Sequence, residues 1–259
     1  MNAALFTAKT GLEAQNAKLQ SISNNIANAE TDGFKASRPE FAALMSINVQ
    51  AASSAEGAAT GGLQVGTGVG IVGSITDFSQ GHAKQTDRAL DVMIEGDGFL
   101  AVNKEDGSRL FTRGRTLVVD QEGRLSTSDN YRLSPEISIP DNVTKIQFNP
   151  NGQVMVKTAD SDELTEVGQL EIVKFANVNG LTHVSGGYYE KNIDTSGDEL
   201  IGIASEDGFG SIRQGFLETS NVNTVNELVA MINAQRGYEM ASKAVKASSE
   251  TMKTLNNSI

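Results

Sequence analysis

Few side chains in this sequence are spaced for chemistry. Asp91, Glu95 and Asp97 bring three carboxylates close together, the raw material of a two-carboxylate glycosidase. Acidic residues alternating along a strand edge, however, far more often form a solvated face. His82 and His183 are far apart in the chain and lack metal-ligand spacing. Gly66-Thr67-Gly68-Val69-Gly70 resembles a phosphate-cradling loop but follows no clear strand and opens no helix, so a backbone turn is expected. Asp194-Thr195-Ser196-Gly197-Asp198 lacks the later ligands and terminal glutamate of a calcium loop and also reads as a turn. Asn142-Val143-Thr144 is a glycosylation triplet, short enough to recur by chance. The chain has no cysteine, which removes disulfides, thiolate metal sites and cysteine nucleophiles together. No catalytic, cofactor-binding or metal-binding residue is therefore assigned, and an enzyme is not expected.

Charge narrows the classes further. The chain has 259 residues and a formal charge of −11, which argues against nucleic-acid binding, since that needs a basic footprint. The charge is unevenly placed: residues 1–35 are neutral and residues 221–259 carry one net positive charge, so the middle is strongly acidic. Near-neutral ends can pack closely against copies of themselves while an acidic middle faces solvent. Met1 to Thr10 shows no secretory pattern, and no stretch approaches about 18 consecutive apolar residues. The plain reading is a cytosolic protein; the alternative is export without a cleaved signal.

The two ends share one pattern. Leu5, Ala8, Leu12, Gln15, Leu19, Ile22, Ile26 and Ala29 alternate at spacings of three and four, a heptad seam with one polar member. Met231, Ala234, Tyr238, Ala241, Val245, Ser248, Met252, Leu255 and Ile259 repeat that spacing, with Leu228, Val229 and Ile232 widening the apolar face. Thr224-Val225-Asn226-Glu227 reads as a capping box. A helix from there to Ile259 would be about 54 Å long. Such a stripe ordinarily packs on a protein's own core, but a seam at each end favours long helices pairing with each other or with neighbours. The seams are rich in alanine and serine. They bury modest apolar area, would be marginal alone, and would gain stability from further copies.

Between the ends the pattern has period two. Leu117 to Val119, Lys145 to Phe148, Gln153 to Lys157 and Gln169 to Val173 read as short strands. They are separated by turns at Glu105-Asp106-Gly107, Glu122-Gly123, Pro150-Asn151-Gly152 and Val178-Asn179-Gly180. The expected fold is α+β: long coiled-coil-type helices over 1–35 and 222–259 packed together, joined to a mainly antiparallel β-rich domain over 70–221. A linker or extended bracing segment, 36–69, lies between them. Within it, Asn48 to Leu63 is Ala/Ser/Gly/Thr-rich and reads as a hinge or as a segment ordered by a partner.

Ser23-Asn24-Asn25-Ile26-Ala27-Asn28-Ala29-Glu30-Thr31-Asp32-Gly33-Phe34-Lys35 closely resembles the signature of bacterial flagellar rod and hook proteins. Read from its residues alone, it is a helix end followed by a tight turn, with asparagines bonding backbone and Gly33 free to take positive φ. Leu63 to Val69, Asp91 to Phe99, and Glu218 to Asn223 with Glu227-Leu228-Val229, Gln235-Arg236 and Tyr238-Glu239 resemble the distal rod (FlgG-type) family. With the matching length, the resemblance covers nearly the whole chain. Its motif residues here are Asn24, Asn25, Asn28, Thr31, Gly33, Phe34 and Lys35.

The resemblance implies a helical homopolymer forming the hollow drive shaft that carries motor torque to the hook. The terminal helices would line the inner tube through Leu5, Leu12, Leu19, Ile22, Ile26, Met231, Tyr238, Val245, Met252, Leu255 and Ile259. Implied partners are copies of the chain, proximal rod and hook proteins, periplasmic and outer-membrane ring proteins, and the flagellar type III export apparatus. No nucleic acid or small-molecule substrate is implied. The alternatives are a proximal rod or hook subunit or, in a different class, a secreted β-rich enzyme or adhesin oligomerising through its helical ends.

Overall fold

The computed structural model describes residues 3–48, 64–104, 106–159 and 161–257. Most of the Ala/Ser/Gly-rich segment, including 49–63, lies outside the described residues, as do Glu105 of the first turn and Ile259. Helix and antiparallel strand are mixed as expected, with the long helices at the ends and the β-rich part between them. The chain divides into two units, one of residues 1–27, 37–76 and 223–259, the other of residues 28–36 and 77–222.

The first unit holds two long helices, α1 (Ala3–Ala27) and, at the other end of the chain, a helix over Thr224–Asn257, packed side by side. Two contacts fix their direction: Asn25 Nδ2 lies 3.4 Å from Glu227 Oε1, and Gly237 faces the Gln15 side chain. Ten residues back along α1 match ten residues forward along its partner, so the pair is antiparallel. Ala14, Ile22 and Ala234 are its buried apolar residues. Strands Ser37–Ala43 and Val69–Thr76 form an antiparallel ribbon in this unit, with a register shift between Glu40 and Phe41. The ribbon meets α1 at Thr10, whose Oγ1 accepts the Val69 N–H. Gly68 is required there: its φ is +116°, and a Cβ on it would lie 2.2 Å from Thr10 Oγ1. The Gly66–Gly70 segment is not the expected turn: Gly66 ends strand Gln64–Gly66 and Val69-Gly70 open the ribbon strand, so it is a short strand-to-strand link fitted to a helix at Gly68.

The helical cap differs from the expected capping box. Asn223, one residue before Thr224, accepts the N–H groups of Val225 and Asn226 through Oδ1. That side chain satisfies two of the orphan donors itself. The Glu227 carboxylate instead accepts from Asn25.

The second unit is an eleven-stranded antiparallel sheet with a three-stranded sheet and a two-stranded pair. Strand Phe99–Asn103 is central, pairing with Arg109–Thr112, Arg132–Ser134 and Glu171–Phe175. Its period-two alternation serves two cores. Leu100 and Val102 join Val92, Ile94, Leu117, Leu125, Val154 and Ile172 on one face, while Phe99 and Ala101 join Phe111, Val173, Phe175 and Tyr189 on the other. Each fully buried aliphatic or aromatic side chain here contributes about 1.5–3 kcal/mol of transfer free energy.

The strand expected over Gln169 to Val173 is in fact two. Thr165–Gln169 closes the three-stranded sheet, and Glu171–Phe175 begins in the large one. Leu170 is the corner: it is buried and its N–H bonds to Gly152 O rather than to a ladder partner. A second correction concerns the carboxylates. Glu95 and Asp97 are exposed, but Asp91 is buried, and neither of its carboxylate oxygens finds a hydrogen-bond partner among the described residues. In strand Asp91–Glu95 every side chain but Glu95 is enclosed, so alternation there does not produce a wet face.

Candidate functional site

Two constellations, one in each unit, are built from the residues singled out in the sequence.

In the helical unit, Asn25 is buried and works as an amide bracket. Its Nδ2 donates to Ser37 O at 2.9 Å and its Oδ1 accepts the Ser37 N–H at 3.0 Å, so one side chain completes both hydrogen bonds of a strand residue. Ser21 Oγ donates to the same carbonyl at 2.6 Å. The end of α1, the start of the ribbon and the first turn of the C-terminal helix are therefore tied through one amide. Only a side chain that both donates and accepts in a plane can do this.

Of the expected seam residues, Ile22 is buried, and Leu5, Leu12, Leu19, Ile26, Met231 and Val245 are half-buried. Where the spacing puts Tyr238 on the seam, Gly237 faces Gln15 and Tyr238 is 43% exposed. The physical reason is room: a Cβ on Gly237 would lie 3.0 Å from Gln15 Cδ. The side chains of Met252 and Leu255 lie outside the described residues, as does Ile259.

In the β-rich unit the motif continues as a turn. Thr31 N–H bonds to Asn28 O, Phe34 N–H to Thr31 O, and Gly33, at φ +75°, donates its N–H to Glu218 O at 2.6 Å. Lys35 then enters a fully buried ionic cluster. Its Nζ donates to Glu218 Oε1 at 2.5 Å and to Ser79 O at 2.7 Å. Glu218 Oε1 also accepts the Gly81 N–H at 2.7 Å, and Oε2 lies 3.5 Å from Arg113 Nε. Arg113 spends its other donors on Gly98 O and Gly96 O. Burial pushes the Lys35 ammonium below the ordinary lysine range, opposed by the charge and hydrogen bond of Glu218. Asn221 completes the clasp: Oδ1 accepts the Ala36 N–H, and Nδ2 donates to Asp77 O and Ser79 O. Sequence reading found Lys35 and Glu218 through separate motifs but not that they meet, and it missed Arg113; no local spacing connects the three.

The remaining candidate chemistry does not converge. His183 lies on strand Thr182–Val184 with its ring edge-on to Tyr189, and burial lowers its pKa. Asp194 sits in α2 (Ile193–Ser196), a four-residue helix capped by Asn192. Among the described residues no group of three or more His, Cys, Asp or Glu is placed to hold a metal, and no helix is long and apolar enough to cross a membrane.

A chain whose buried motif residues Asn25 and Lys35 clasp backbone, and whose long helices lie at its two ends, has the makings of a structural subunit, and the comparisons define the class as a flagellar rod protein. Three family descriptions match: "Flagella basal body rod protein" over 5–35, "Flagellar hook protein FlgE/F/G D1 domain" over 93–156 and "Flagellar basal body rod FlgEFG protein C-terminal" over 213–258. The flagellar basal-body rod protein FlgG of Buchnera aphidicola subsp. Schizaphis graminum is 38% identical, covering 97% of this chain and 98% of that one. FlgG of Borreliella burgdorferi is also 38% identical, over 99% of this chain and 98% of its own. The hook protein FlgE of Helicobacter mustelae is similar only in part, 37% identical over 49% of this chain and 29% of its own. The chain belongs to the FlgG family of flagellar basal-body rod proteins. That family is structural, and its place is the basal-body rod.

Proposed function

We propose that this chain polymerises helically into the hollow distal rod that transmits motor torque to the hook. The observation that carries the reading is a second apolar face on the C-terminal helix. Met231 and Ala234 turn toward α1, whereas Val225, Leu228, Val229, Ile232 and Met240 are 50–67% exposed. Five large apolar side chains on one stretch of helix are costly to leave in water and mark an interaction surface. In a tube wall of packed helices, neighbouring copies would cover them, with Leu5 to Ile26 and Met231 to Ile259 forming coiled-coil-type seams. On this reading 1–35 and 222–259 are the inner helical layer, 36–69 braces adjacent subunits, and 70–221 is the outer domain.

Axial neighbours would be proximal rod and hook proteins, and the periplasmic and outer-membrane rings would surround the shaft. The type III export apparatus would deliver the chain unfolded without signal cleavage, and the small-residue seams suit that route because their ordering is deferred to docking. The small share of the hook relative's length that aligns favours rod over hook.

Electron microscopy of basal bodies from a strain lacking the gene, with and without the full-length chain restored, tests this. Short hookless rods that recover on complementation are expected. Normal rods and hooks in the deletion strain would reject the assignment.

A further inference from the structure

Strand Glu199–Ile203 lies at an open edge of the large sheet. Along one side it pairs with Glu171–Phe175, placing Ile201 opposite Val173, Gly202 opposite Ile172 and Leu200 opposite Lys174. Its other side has no strand partner among the described residues. Burial breaks off abruptly here. Ile172 and Val173 are fully buried, yet one strand over Leu200, Ile201 and Ile203 are 58%, 50% and 39% exposed. Edge strands are normally guarded by lysine, proline, a bulge or a covering segment. This one has none of the first three. Phe209 covers Gly202, where a Cβ would lie 2.3 Å from its ring, but leaves the flanking aliphatics bare. Arg109 and Lys191 are held at the Glu199 end, and Lys174 of the neighbouring strand is turned away to Gly208 O and the Phe209 ring.

The same chain carries a second edge of different character, with a strand partner on one side only among the described residues and with its first N–H, that of Val69, held by Thr10. Strand Val69–Thr76 belongs to a two-stranded ribbon, is uncharged over its whole length, and exposes Ile71 at 54% and Val72 at 66%. We propose that the Val69–Thr76 edge of one copy adds as a strand to the Glu199–Ile203 edge of the next. The proposal rests on the reading of the chain as a rod subunit surrounded by copies of itself. Charge supports the match: Asp198, Glu206 and Asp207 flank the receiving strand, and a donor without carboxylates meets no repulsion there. Two unlike edges that pair make a head-to-tail contact, which propagates; pairing of one edge with itself would close as a dimer. Main-chain hydrogen bonds would supply affinity, and the bare aliphatics would supply register.

The test places a photo-reactive benzoylphenylalanine at Ile201 in the full-length chain, expressed in cells that build basal bodies. Irradiation is expected to cross-link two copies, with the attachment mapping to 69–76 by mass spectrometry. The cross-link should be lost when the copy that donates strand 69–76 carries Val72→Lys. Attachment to a different protein, attachment to another part of the chain, or no cross-link in cells with normal rods would overturn the edge pairing while leaving the rod assignment intact. If the unmodified chain fails to restore rods, the rod assignment itself falls.

Discussion

Lys35 Nζ lies 2.5 Å from Glu218 Oε1 with both side chains wholly enclosed, although 183 residues separate them in the chain. The pair joins a turn near the N-terminus to the strand that leads into the last helix. Buried pairs of this kind are weak net stabilisers when intact, but removing one partner strands a charge. Lys35→Met is therefore expected to cost about 3–5 kcal/mol in the β-rich unit. Urea unfolding followed by near-UV absorbance or fluorescence of the tyrosines would measure it. A change below about 1 kcal/mol would mean that Arg113 alone suffices to hold Glu218.

Asn25 makes a sharper chemical test because it must both donate and accept. Asn25→Asp keeps the shape but removes the donor toward Ser37 O and sets a carboxylate near Glu227. It is expected to cost more than Asn25→Ala, which should lose about 1–3 kcal/mol through unsatisfied Ser37 groups. Faster hydrogen exchange at Ser37 and along the end of α1 is the readout. Equal effects of the two substitutions would show that charge near Glu227 is unimportant.

Gly98 has φ +133°, and a Cβ there would lie 2.1 Å from Ile172 Cγ2. Gly98→Ala thus combines backbone strain with overpacking of a closed core, together about 2–5 kcal/mol. A lowered thermal midpoint with loss of near-UV circular dichroism would report it. An unchanged midpoint would place the strand differently from the geometry described.

His183 gives a pH signature. Burial lowers its pKa in the folded chain, so the unfolded chain takes up a proton first as pH falls from the ordinary histidine value of 6.5. Stability should therefore decline on acidification through that window and level off below the folded pKa. His183→Gln is expected to flatten that part of the pH–stability curve, and an NMR titration of His183 should show a midpoint below 6.5. A midpoint above it would reverse the sign.

Much of the helical unit was readable because its information is local. Leu12, Leu19 and Ile22 sit on a regular spacing, and turn glycines such as Gly33, Gly123 and Gly152 mark positive-φ corners. What escaped was non-local or depended on room. The clasp of Lys35, Arg113 and Glu218 joins three distant segments, so no window contains it. Leu170 reads as the middle of a strand because its neighbours are suitably apolar; only the hydrogen bond to Gly152 O reveals a change of sheet. Asn223, not Thr224, caps the last helix, and Glu227 is engaged by Asn25, an interaction spanning 202 residues that no local window contains. The ribbon of Ser37–Ala43 with Val69–Thr76 was hidden because its strands are short of paired apolar alternation and are set by Thr10 and Asn25 of the helix.

Among the described residues the antiparallel helices fully bury only Ala14, Ile22 and Ala234 as apolar side chains, and surfaces with so few enclosed side chains offer little resistance to sliding along their length. Two features remove that freedom. Gln15 occupies the gap left by Gly237, and Asn25 reaches Glu227. A slip of one helical turn, about 5.4 Å, would carry Gln15 against Asn233 or Ala241, each with a Cβ in its way, and would part Asn25 from its carboxylate. The pair is keyed like a shaft in its collar: axial load meets a steric stop rather than friction, and the helices can yield only by separating.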